Sequence, residues 1–516
     1  MAESKYVIAY DFGTGGTKAS LYDAQGRCLA DHFASYETHY PRAGWHEQRP
    51  EDWWASVVES TRQLLAEVEI DPNDIEAIGI SGHSLGVVPL DAEGRLLRQD
   101  TPIWSDSRPD TQPAEFFAKV SESQWYMTTG NGFPPPLYTV FKIMWLRDNE
   151  PELFARIDKV IGTKDYINFR MTGAIATDYS YASGSGVYDL VGWKYSDQLI
   201  AASGLSPDIF PRIVPSTEVL GTLTPQAAEE LSLPQSVKVV AGGVDNSCMA
   251  LGARAHKEGD CYNSMGSSSW IAVTSAKPLL DEETRPYVFT HVVPEKFTSA
   301  LGVFSTGSSF RWVREQLCTN LDAAAQTEGV STYDLMLRLA ADSDIGAGAT
   351  MFLPTMAGGS SLDASQHVRG AFVNLDLGDS QGDLIRATME GVAMSLQLAL
   401  EALERITDLS SEMIAVGGGS RSDLWMQIYA DLYNKDMIRT NIGQQAAALG
   451  AAAVALVGVG LWDDFSRIED IHEVQDVRKP ISANQTRYAL LTPIFKQLSR
   501  NQAEIGDMFA SIGQET

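Results

Sequence analysis

The chain has 516 residues, 44% hydrophobic and 21% charged, which predicts a globular protein too long for one core and built of two large domains or more. A formal net charge of −28 argues against nucleic acid or an anionic membrane as main partner, because both would be repelled. The four cysteines (Cys28, Cys248, Cys261, Cys318) show no C-x-x-C pair and no ligand spacing with histidine, which predicts a reducing compartment and no structural zinc.

Residues 1–11 lack the long apolar core of a secretory signal, so a cytoplasmic protein is expected. Residues 6–10 read as a buried strand that ends in Asp11. A loop follows in which Gly13, Gly15 and Gly16 alternate with Thr14, Thr17 and Lys18. Such glycines let the backbone turn tightly and bring N–H groups to a polyanion. The strand pattern then returns over residues 19–22 and again over 26–36, so the start is a three-stranded meander carrying a phosphate-binding hairpin. The P-loop and the Rossmann fingerprint are both excluded: the first needs G-x-x-x-x-G-K-[ST], the second a third glycine and a following helix.

Residues 51–67 show helical spacing, with Trp54, Val57, Val58, Thr61, Leu64 and Leu65 on one face. Residues 75–81 read as a second buried strand. Gly82-His83-Ser84-Leu85-Gly86 then spells the nucleophile elbow, but that motif needs a helix straight after the serine. Pro89 and the Asp91-Ala92-Glu93-Gly94 turn predict strand–turn–strand instead. Ser84 is therefore expected to line a pocket. Residues 140–146 look helical, with Lys142 either solvated or folded towards a site.

From residue 237 the opening pattern recurs. A strand over 237–241 leads through Gly242 and Gly243 to Asp245 and a helix. Two strands then flank Met265-Gly266-Ser267-Ser268-Ser269. This weak repeat predicts two similar domains around a cleft. Near the end, a strand over 413–416 enters Gly417-Gly418-Gly419, and a helix over 424–433 is expected directly after it, a geometry suited to a nucleotide. Residues 446–462 are apolar throughout but short of the roughly 20 needed to span a bilayer; a closely packed buried helix is expected.

In order and spacing, these motifs resemble the FGGY family of carbohydrate kinases over essentially the whole chain. The resemblance rests on Asp11-Phe12-Gly13-Thr14, Trp104-Ser105-Asp106-Ser107-Arg108, Lys142 to Leu146, Gly243-Val244-Asp245-Asn246, Gly266-Ser267-Ser268, Gly370-Ala371-Phe372 and Val416 to Trp425. It implies an α/β protein of two actin-like ATPase (ribonuclease H-like) domains, each a mixed five-stranded sheet flanked by helices, with the active site in the cleft between them. The boundary is expected between residues 1–254 and 255–516. The implied activity is transfer of the γ-phosphate of ATP to a small sugar. The pattern is most similar to the xylulokinase branch, so D-xylulose is the first acceptor and another ketose or small polyol the alternative.

The same resemblance implies the site. Asp245 would be the general base, kept ionised by helix N-terminal N–H groups, and Asp11 would hold Mg²⁺ through water. Thr14, Gly15, Thr17 and Lys18 would face the β- and γ-phosphates, and Gly266 and Ser267 the γ-phosphate. Gly307, Arg311, Gly418, Gly419 and Asp423 would lie along the adenosine, and Ser84, Leu85, Trp104, Asp106, Asp245 and Asn246 around the sugar. Ser84 and Leu85 stand where that branch carries Met-His, so a polar sugar group facing Leu85 would lose a partner. The implied partners are the sugar and ATP, with a homodimer allowed.

Overall fold

The computed structural model describes residues 5–514. They form two compact units: 5–258, Thr274–Ser299 and Gln445–His472 in one, Gly259–Val273, Ala300–Gln444 and 473–514 in the other.

The first unit begins with the expected meander. Strand β1 (Tyr6–Gly13) pairs antiparallel with β2 (Gly16–Asp23), and β2 with β3 (Cys28–Ser35). On its other side β1 takes β4 (Ile75–Gly82) in parallel. Strands β5 (Val219–Thr222), β6 (Lys238–Val240) and β7 (Gly243–Val244) complete the sheet: β6 and β7 run parallel to β4, and β5 antiparallel to β6. The sheet therefore has seven strands, not the five expected. The strand read over 237–241 is cut short at Gly242, whose φ is +74° and whose added Cβ would meet the Ile80 carbonyl oxygen at 2.1 Å. Only glycine is at ease in both respects. The kink resumes the chain as β7, beside the end of β4.

Helix α1 (Pro50–Glu67) covers one face with Trp53, Val57 and Leu64, in one core with Ile8, Tyr10 and Leu21. Helices α2 (Thr139–Asn149), α3 (Thr163–Thr172) and α4 (Asp245–Gly252) follow. The apolar stretch near the end forms the helix Ala446–Gly458, buried from Ala446 to Leu456. Its small residues allow backbone to meet backbone. An added Cβ would come to 2.3 Å from the Ala451 oxygen at Gly79, 1.7 Å from the Ala446 oxygen at Gly252 and 1.9 Å from the Cys248 oxygen at Gly450. Through these contacts the helix clamps α4 to the sheet. Among the described residues no helix is long and apolar enough to cross a membrane.

The second unit repeats the plan. Strands β8 (Cys261–Met265) and β9 (Ser269–Ser275) form a hairpin, and β8 takes β10 (Glu412–Val416) in parallel. Strand β11 (Asp436–Thr440) lies parallel to β10, with β12 (Val474–Arg478) antiparallel beyond it. Helices α5 (Gly307–Leu317), α6 (Thr332–Asp342), α7 (Gln381–Glu404) and α8 (Asp423–Tyr433) pack around it. In both units a hairpin's first strand receives a parallel neighbour, which explains the repeat seen in the sequence.

Candidate active site

Register brings the acidic residues of the first unit together. Asp11 on β1 lies opposite Ser81 on β4, and Ser81 lies opposite Gly243 on β7. Asp245 follows two residues later, at the first turn of α4. The Ser81 hydroxyl donates to Asp11 Oδ1 at 2.9 Å. Burial raises the Asp11 pKa, against the Ser81 bond and the Lys18 charge that lower it. Burial, joined by the Asp11 charge, pushes Asp245 up to about 7, although its Oδ1 accepts the Asn246 N–H at 2.7 Å. Helix N–H groups were expected to keep Asp245 ionised, and burial and the Asp11 charge act against them. Desolvation and a like charge outweigh them.

The loop after β1 is a two-residue tip, Thr14-Gly15, closing the Gly13–Gly16 pair. Its carbonyls are gripped from behind: Tyr36 Oη donates to the Gly13 oxygen (2.5 Å), Gln48 Nε2 to that of Thr14 (2.7 Å) and Tyr36 N to that of Gly15 (3.3 Å). The Thr14 and Gly15 N–H groups donate to nothing among the described residues, and both residues are exposed. Outward amides on a fixed loop are what an anion needs. Thr17, however, does not belong to this surface. It is fully buried, its hydroxyl bonded to Ser56 Oγ at 2.9 Å, because strand alternation turns it to the α1 side. Lys18 faces the other way, opposite Asp11.

Of the residues expected around the sugar, Trp104 is partly exposed, and its indole N–H donates to Thr14 Oγ1 at 3.0 Å. Ser84 is 7% exposed and its hydroxyl has no partner among the described residues. No helix follows it; the next element is the strand Val88–Leu90, so the nucleophile-elbow reading fails as expected. Asn246 is half-buried beside Asp245. Two of the expected sugar contacts lie elsewhere. Leu85 is 1% exposed and sits in a core with Val87, Phe141 and Val187. Asp106 is fully buried: Oδ2 accepts His46 N and Arg108 Nη2, both at 2.7 Å, and Oδ1 accepts Arg108 Nε at 2.9 Å. It braces Arg108, which lies between the Trp45 and Trp145 rings. Lys142 is fully buried too, not solvated.

The second unit holds a cavity of about 720 Å³. The Gly266-Ser267 loop forms one end and repeats the first loop's device. The Gly266 oxygen accepts Gly307 N, and the Ser267 oxygen accepts Thr306 N and Ser308 N, all at 3.1 Å. The Gly266 and Ser267 N–H groups again donate to nothing among the described residues. A Cβ on Gly307 would lie 2.4 Å from the Gly266 oxygen, so only glycine lets α5 approach this loop. Gly418, Gly419 and Arg311 line this cavity. A 3₁₀ turn, Gly418–Arg421, takes in the last two glycines and precedes α8, where a helix directly after the glycines was expected. Gly417 forces it with a φ of +94°. Asp423 does not line the cavity; it is paired with Arg439 (3.0 Å) and Arg478 (2.8 Å). An aromatic wall was missed: Phe310 stacks on Tyr333 at 5.7 Å and meets Trp425 at 5.1 Å. A planar base suits such a wall, but no sequence motif marks Tyr333, which comes from α6.

Residues 6–252 match the N-terminal domain of the FGGY family of carbohydrate kinases, and residues 261–459 its C-terminal domain. A xylulose kinase of Bacillus subtilis is 29% identical over 98% of this chain and 99% of its own. That of Escherichia coli is 30% identical over 87% of this chain and 89% of its own. The crystal structure of a gluconate kinase from Lactobacillus acidophilus matches with a TM-score of 0.89 at 25% identity, covering 98% of this chain and all of that one. The two glycine hairpins, the aspartate pair and the aromatic cavity thus sit in a chain that belongs to the FGGY family of carbohydrate kinases.

Proposed function

We propose that the protein transfers the γ-phosphoryl group of ATP to a hydroxyl of D-xylulose, giving D-xylulose 5-phosphate. The observation that supports this acceptor most directly is the near-complete coverage shared with a relative named xylulose kinase. Gluconate is the second reading, carried by the gluconate kinase structure. An aldonate carboxylate calls for a cation, yet the residues assigned to the acceptor, Ser84, Trp104, Asp245 and Asn246, include none. The nearby Lys142 and Arg108 are buried and bonded within the protein. A neutral ketose fits this set better.

Asp245 takes the proton of the attacking hydroxyl. A base with a pKa near 7 combines a usable ionised fraction at neutral pH with a strong pull on the proton. Trp104 supplies an apolar wall to the sugar C–H face, and Ser84 a free hydroxyl. The Thr14, Gly15, Gly266 and Ser267 amides hold phosphate oxygens without adding charge, which suits so acidic a chain. Asp11 fits a Mg²⁺ that keeps most of its waters, because one of its oxygens is taken by Ser81 and the other is left to them. The ion would neutralise charge on the transferring phosphoryl group.

The test is ADP release with D-xylulose, D-ribulose, gluconate, glycerol and erythritol as acceptors. D-xylulose should show the highest kcat/KM. A higher value with gluconate would replace the acceptor while leaving the kinase in place.

A further inference from the structure

Helix α2 is buried on every side from Thr139 to Leu146, and Lys142 lies within that stretch. Burying an ammonium group is costly unless it is fully bonded, and a methionine would fill the same space without that penalty. The Lys142 amine spends its donors on main chain alone: the Leu85 oxygen at 3.0 Å, that of Ile103 at 2.6 Å and that of Trp104 at 3.4 Å. These carbonyls belong to two loops far apart in sequence. One presents Ser84, the other Trp104. Leu85 itself holds a left-handed φ of +62°, disfavoured for a side chain with a Cβ, and its carbonyl accepts from the amine. Beyond the amine, Trp104 reaches forward to Thr14 in the phosphate hairpin.

We infer that Lys142 is a positioning residue for the acceptor: its ammonium ties the Ser84-Leu85 turn to the Trp104 loop and so fixes the spacing of the two groups that face the sugar. The inference rests on the reading that Ser84 and Trp104 face the acceptor. It differs from a general packing role because the bonds go to loop carbonyls, not to the core around α2. The ion pairs of Asp106 and Arg108 brace the same loop from the side, and Val87 N donates to the Pro102 oxygen at 3.1 Å, so Lys142 is the side-chain tie beside one main-chain bond between these segments.

The experiment compares Lys142→Met and Lys142→Gln with Ser84→Ala and Trp104→Ala, using the full chain, D-xylulose and ATP. Lys142→Met should raise the acceptor KM at least tenfold, with the ATP KM within about twofold. Lys142→Gln, which keeps an N–H donor, should recover part of that loss. A merely structural role would move both KM values together or neither. Unchanged acceptor KM in folded Lys142→Met overturns the inference, as does failure of both variants to fold. If Ser84→Ala and Trp104→Ala also leave the acceptor KM unchanged, the acceptor assignment itself has failed. If they raise it while Lys142→Met does not, only the positioning role is lost.

Discussion

The Asp11 carboxylate raises the pKa of Asp245, the acid at the start of α4, adding to burial to bring it to about 7. The pairing follows from register, since β1, β4 and β7 end side by side. As the base must be ionised to accept a proton, kcat/KM should fall about tenfold per pH unit below pH 7 and level off above it. Asp245→Asn should lower kcat by at least about 10²-fold at every pH, with nucleotide affinity within a few-fold. An acid limb centred near pH 4, or a variant retaining a tenth of the activity, would remove Asp245 from the role.

The same shift predicts a pH-dependent stability cost. In the unfolded chain this carboxyl titrates near the ordinary 3.8, and in the folded protein near 7. Below 3.8 both states are protonated and the shift costs nothing. Between the two values the unfolded state has released its proton and the folded state has not, so stability falls as pH rises. The cost is complete above 7. Asp245→Asn, which cannot ionise, should therefore raise the Tm more at pH 8 than at pH 4. An equal difference at both pH values would mean that the folded carboxyl is not perturbed.

Backbone features of the site were legible in the sequence, while side-chain direction often was not. Gly16, Gly266 and Gly307 mark loops through the close approach they allow, and Pro89 marks the strand after Ser84. Thr17 was misplaced because a hydroxyl beside glycines reads as a phosphate donor, whereas strand alternation turns it to Ser56. Asp106 and Asp423 were misplaced because their arginine partners cannot be assigned from spacing: Arg108 is two residues away, but Arg439 and Arg478 come from β11 and β12. Lys142 was left open since a buried lysine is rare, and the carbonyls that satisfy it lie 38 to 57 residues away.

Gly307 offers a test of the proposed assignment of the Gly266-Ser267 loop to the nucleotide. A methyl group there would lie 2.4 Å from the Gly266 oxygen, closer than any relaxed contact, so Gly307→Ala should push α5 away from the loop. The Gly266 and Ser267 amides would shift with it. The ATP KM should rise by an order of magnitude or more, as expected for losing a hydrogen bond to a charged group, while the D-xylulose KM at saturating ATP stays within about twofold. Equal effects on both substrates would show that this loop is not specific to the nucleotide.

Leu85 decides whether the turn after β4 reads the sugar through its side chain. On sequence alone, a polar sugar group facing Leu85 would lack a partner that histidine could supply. In the structure the side chain lies against Gly184, where an added Cβ would come to 2.9 Å from Leu85 Cδ2. An imidazole in that apolar core would lack partners, at a cost of about 1–3 kcal/mol. Leu85→His should therefore lower the Tm and leave kcat/KM for D-xylulose unimproved. Leu85→Gly makes the complementary case: it relieves the left-handed φ but empties the core position, so a net loss of stability is expected, with the acceptor KM less affected than by Ser84→Ala. A Leu85→His protein of wild-type stability and better D-xylulose turnover would place the side chain at the sugar after all.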